Sequence, residues 1–81
     1  MKIDSILFAR VNEYVELRFG NQNTIVIVSD DLRDNFSITV DDLDDFIAAA
    51  RKFKAKYNIK VHKRLSDLYC DIRFTRFPDV H

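Results

Sequence analysis

Residues 39–57, TVDDLDDFIAAARKFKAKY, carry the clearest periodic pattern in the chain. Leu43, Phe46, Ile47, Ala50, Phe53 and Tyr57 recur at i, i+3, i+4, i+7, i+10 and i+14, which lines them along one stripe of an α-helix. Thr39 stands where a capping residue belongs, Asp42 follows at the third helical position, and Ile38 can staple onto Leu43. Asp41, Asp42, Asp44 and Asp45 fill the first turns and Arg51, Lys52, Lys54 and Lys56 the last, the order that complements the helix dipole. Asn58 supplies a left-handed stop. The pattern predicts one amphipathic helix over residues 40–57 that needs an apolar surface to lie on.

The flanking segments read as that surface. Upstream, Val15, Leu17 and Phe19 alternate with Tyr14, Glu16 and Arg18, as in a strand with one wet side. Gly20-Asn21-Gln22-Asn23 then makes a turn, and Thr24-Ile25-Val26-Ile27-Val28 is an unbroken β-branched run, expected of an interior strand covered on both faces. Ile3 to Val11 is expected as a further strand ending at Asn12, Asp30 to Asn35 as a polar loop, and Phe36 to Thr39 as a short fourth strand. Downstream, Ile59-Lys60-Val61-His62 and Leu68 to Phe77 alternate again, with Leu65-Ser66-Asp67 in the turn of a C-terminal hairpin. The expected fold is therefore α+β: an antiparallel β-meander of four to six strands, one amphipathic helix (about 40–57) packed on one face, and a C-terminal β-hairpin. It forms a single domain over residues 1–81, because 81 residues leave no room for two.

Composition narrows the function classes. With 47% hydrophobic and 32% charged residues, one Gly and one Pro, the chain has the means to bury a core and is not of the disordered kind. No run of about 18 apolar residues appears, so the chain reads as cytoplasmic, without a membrane partner. A lone cysteine, Cys70, removes internal disulfides and thiolate zinc sites. Alternation puts Cys70 inward and His62 on the opposite side, which separates the chain's one Cys-His pairing within the hairpin. The Asp-rich segment 30–45 lacks the spacing of a calcium loop, and Gly20 alone cannot form a phosphate cradle. No catalytic residue, metal or cofactor is expected, and a non-enzymatic role follows. An enzyme subunit lending residues to a shared site is the weakest of the readings weighed.

Charge is segregated although the formal net charge is zero. Residues 30–45 hold seven Asp against Arg33, while residues 51–64 hold Arg51, Lys52, Lys54, Lys56, Lys60, Lys63 and Arg64 with no acid. Such asymmetry bears on partners. The favoured reading is a small protein-protein interaction module acting as inhibitor, adaptor or modulator, with Tyr14, Tyr69 and Phe77 as interface candidates. The Gly-poor, Ile-, Asp- and Phe-rich composition fits a phage or mobile-element accessory protein. Self-association as a two-fold dimer belongs to the same class, since opposite patches on one molecule can meet. The alternative is a nucleic-acid-binding protein using the basic 52–76 region, with Lys52, Lys56, Lys60, His62, Lys63, Arg64, Tyr69, Arg73 and Arg76 as candidates.

Overall fold

The computed structural model describes residues 2–64 and 69–78. It comprises α1 (Ser5–Phe19), β1 (Thr24–Val28), α2 (Ser29–Phe36), a 3-10 turn (Val40–Asp42) running into α3 (Leu43–Lys52), β2 (Tyr57–Lys63) and β3 (Cys70–Arg76). The three strands form one antiparallel sheet in the order β1-β3-β2. An α+β fold with an antiparallel sheet is thus present. The expected four to six strands, meander order and single helix are replaced by three helices and three strands.

The largest correction lies at the amino-terminal end. The segment expected as two strands broken at Asn12 is the single helix α1. Asp4 caps it, its carboxylate accepting the Leu7 N–H at 2.8 Å, and Gly20 ends it at φ 53°. Phe8, Val11, Val15 and Phe19 are its buried residues, spaced by three and four. Val15 and Phe19 also satisfy a period of two, which made the segment resemble a strand. Leu17, the residue that would distinguish the two, is 75% exposed.

Three further expectations change. Residues 30–35 belong to α2, with Asp30 and Asp31 in its first turn, Leu32 buried beneath it and Ser37 closing it in the left-handed region at φ 58°. The short strand expected over Phe36–Thr39 is therefore that helix end plus a linker that sinks Ile38 into the core. The main helix ends five residues early: Phe53 is its cap and Lys54 takes the positive φ of 56° that was expected at Asn58. Tyr57 instead opens β2, still buried, its ring 5.8 Å from that of Phe19 and 5.5 Å from that of Phe74. The start of the helix matches the expected cap: the Thr39 N–H and hydroxyl both donate to Asp42 Oδ2, at 3.0 and 2.9 Å.

The C-terminal hairpin expectation matches β2 pairing antiparallel with β3, while its turn at 65–67 lies outside the described residues. The β1 run is an edge strand, not an interior one. Ile25 and Ile27 point into the core, and Val26 between them is 48% exposed.

Among the described residues, the helices pack on one side of the sheet. Ile25, Ile27, Cys70, Ile72, Phe74 and Tyr57 meet Phe8, Phe19, Leu32 and Phe46 of the helices in one buried cluster. The opposite side has no helix over it among the described residues. Its rows are Thr24-Thr75-Asn58, Val26-Arg73-Lys60 and Val28-Asp71-His62, in register across the three strands.

Candidate protein-docking edge

Two main-chain hydrogen bonds bracket β2 and fix which of its groups are free. The Phe77 N–H donates to the Lys56 carbonyl at 3.1 Å, and the Arg64 N–H to the Tyr69 carbonyl at 3.2 Å. Antiparallel pairing alternates bonded and outward-facing residues. Asn58, Lys60 and His62 therefore bond β3, whereas the N–H and C=O groups of Tyr57, Ile59, Val61 and Lys63 point away from the sheet. No strand pairs with that edge among the described residues.

The two edges of the sheet are unequal. Along β1 the inward side chains Ile25 and Ile27 are fully covered by the helices. Along β2 the corresponding Ile59 and Val61 are half-exposed. α3 runs beside this edge at a distance that leaves two clefts sharing Ile47. One, of about 460 Å³, lies at the Tyr57 end between Ala50, Ile59 and Phe77, with Arg51, Lys54 and Lys56 on its rim. The other, of about 520 Å³, lies at the Lys63 end among Leu43 and Val61, with Asp41 and Asp44 beside it. The edge thus combines outward main-chain groups, an apolar trough and charged ends.

The interface candidates do not form one patch. Tyr14 lies on α1, half-buried, edge-on to Phe36 at 5.5 Å and accepting a hydrogen bond from Arg18 Nη1 at 3.0 Å. Tyr69 precedes β3 and is half-buried, the Arg64 guanidinium 5.3 Å from its ring centre. Phe77 follows β3, 49% exposed, in the trough at the β2 edge. Tyr69 and Phe77 are eight residues apart along one strand, roughly 26 Å.

The basic candidates divide between the two sides. Lys60 and Arg73 are register partners in the middle of the open face, with His62 opposite Asp71 in the next row. Arg64 is held by Asp71, Nη2 to Oδ2 at 2.7 Å, and this bond with the adjoining negative charge raises its pKa further above the ordinary arginine range. Arg76 turns to the helix side, its Nη1 donating to Glu16 Oε2 at 2.9 Å and its guanidinium 4.3 Å from the Phe19 ring centre. Lys52 sits 5.4 Å from the Phe53 ring centre at the end of α3. Lys56 and Lys63 border the two clefts of the β2 edge.

Ion pairing divides the cations of the hairpin and of the end of α3. Arg18, Arg33, Arg64 and Arg76 each pair with a carboxylate. Arg51, Lys54, Lys56, Lys60, Lys63 and Arg73 pair with none among the described residues. Sequence reasoning had no access to Ile47, Ala50, Ile59 and Val61 as site residues, because each reads as core by its period. The strand order, which leaves β2 outermost, leaves Ile59 and Val61 half-exposed beside Ile47, while Ala50 lines the trough and stays buried.

Cys70 is fully buried on the inward side. No group of three or more His, Cys, Asp or Glu side chains able to hold a metal occurs among the described residues, and no helix there is long and apolar enough to cross a membrane. Comparison with protein-family models, with curated proteins and with solved structures finds no match to this chain.

Proposed function

We propose that this chain is a non-catalytic protein-interaction module that takes up an extended segment of a partner protein along the free edge of β2. The observation that carries the reading is an edge that no described strand pairs with: outward N–H and C=O groups of Ile59 and Val61 stand directly above half-exposed apolar side chains and a trough beside α3. Strand addition uses such an edge for affinity through main-chain hydrogen bonds and the neighbouring pockets for specificity. An unprotected edge is otherwise a hazard that proteins cover.

The edge is tested with Val61→Pro. Proline there removes an N–H that points outward, so the β2–β3 ladder keeps its bonds. A partner retained by the wild-type chain and lost by this variant, with unchanged retention by an open-face variant such as Thr75→Ala, supports docking at the edge. Equal retention by wild type and Val61→Pro rejects it.

Nucleic acid on the open face is the second reading, favoured by Lys60 standing beside Arg73 with no ion-pair partner among the described residues for either. Asp71 in the adjoining row and the engagement of Arg64 and Arg76 by carboxylates weigh against it.

A further inference from the structure

We infer that the segment received at the β2 edge is acidic, alternates apolar with acidic residues, and carries its densest negative charge at the end that meets Tyr57; this rests on the strand-addition reading above. A strand laid beside β2 must send successive side chains to opposite sides of the sheet. On the helix side they enter the trough formed by Ile47, Ala50, Ile59 and Phe77, which accepts apolar groups. On the open side they pass Asn58, Lys60 and His62, with Arg73 one strand further in. Lys60 and Arg73 have no ion-pair partner among the described residues, so a carboxylate on that side of the incoming strand completes a cross-strand pair.

The ends of the edge differ in sign. Arg51, Lys54 and Lys56 rim the Tyr57 end, where more than one carboxylate is favoured. At the Lys63 end Asp41 and Asp44 outnumber the single cation Lys63, so acids are less favoured there than at the Tyr57 end. The gradient fixes which end of the segment is the more acidic, and it steers encounter.

A second copy of this chain fits less well. Antiparallel self-pairing that uses all of β2, Tyr57 opposite Lys63 of the copy, brings Lys60 opposite Lys60 of the copy, a like-charge pair.

The experiment uses three labelled probes titrated by fluorescence anisotropy: an alternating Ile/Glu nonapeptide, an alternating Ile/Lys nonapeptide and a single-stranded oligothymidylate. Amide exchange is followed by NMR on the same samples, with the wild-type chain and an Arg51→Glu/Lys54→Glu/Lys56→Glu variant, and sedimentation gives the state of the free chain. The expected result is at least tenfold tighter binding of the Ile/Glu peptide than of the Ile/Lys peptide, lost in the triple variant, with new protection at the Ile59 and Val61 amides. Equal binding of both peptides with that protection overturns the acidic preference and leaves strand addition standing. Binding of the Ile/Glu peptide without protection at Ile59 and Val61, or equal binding of the oligothymidylate, overturns strand addition as well. A free chain that sediments as a dimer with Ile59 and Val61 already protected assigns the edge to a second copy and overturns the inference, as does the absence of binding by every probe.

Discussion

The Cys70 N–H donates to the Ser29 hydroxyl at 2.9 Å, a buried bond that spans 41 residues. Thr24 to Val28 pair with Thr75 to Asp71, so Ser29 is the next position along that ladder. Its side chain supplies the acceptor after the chain has turned into α2. Ser29 is the one buried polar residue among the described residues. Ser29→Ala leaves a buried N–H without an acceptor and is expected to lower stability by about 1–3 kcal/mol, read from denaturant midpoints at unchanged slope.

Phe46, fully buried, reaches both Phe8 and Phe74, with ring centres 6.1 and 6.2 Å away, and so joins α1 and the central strand to α3. Phe46→Ala is expected to cost about 3–5 kcal/mol, a large fraction of the roughly 5–15 kcal/mol that stabilises a typical domain. Thermal melting measures it.

The helical reading of residues 5–19 separates two neighbours sharply. Leu17→Ala, at an exposed position, is expected to change stability by no more than about 0.5 kcal/mol, whereas Phe19→Ala, buried against Tyr57 and Arg76, costs about 3–5 kcal/mol. Similar large losses from both variants would restore a strand with Leu17 and Phe19 on one buried face.

Tyr57 links stability to alkaline pH. Its hydroxyl donates to Asn12 Oδ1 at 2.7 Å, and burial, with the Glu16 carboxylate adding to it, pushes its pKa well above the ordinary value of 10.0. The folded state keeps this proton where the unfolded chain has released it. Stability is therefore full below about pH 10 and falls as pH rises beyond it. Tyr57→Phe should remove that part of the alkaline loss while costing about 0.5–1.5 kcal/mol at neutral pH for the hydrogen bond.

Asp42 acts at the other end of the pH scale. The Thr39 N–H, and then further hydrogen bonds including that from the Thr39 hydroxyl, hold its carboxyl below the ordinary value of 3.8. The contribution is present above that value and lost as pH falls through the depressed one. Asp42→Asn is expected to flatten the acid limb of a stability profile without altering it at neutral pH beyond the loss of the cap.

The residues explain how much of this could be read without coordinates. Asp42, Leu43, Phe46 and Ala50 announce α3 because capping chemistry and a period of 3.6 agree there. The β2–β3 pairing was legible because Cys70, Ile72 and Phe74 alternate without competition. α1 was not, since Val15 and Phe19 fit both periods and only the tertiary packing of Phe8 and Val11 decides between them. α2 was hidden by its brevity and its run of acids, which suit a first helical turn as well as a loop. At the candidate site, the cations were visible as a cluster. Their separation into an open face, a helix side and an edge follows from the β1-β3-β2 order, a long-range pairing that no local pattern encodes.

The most direct measurement is residue-resolved amide exchange across β2 in the free protein. A bare edge predicts alternation: slow exchange at Asn58, Lys60 and His62, which bond β3, and fast exchange at Ile59 and Val61, which face outward. Uniformly slow exchange along the strand would mean that the edge is already covered, and would contradict docking there.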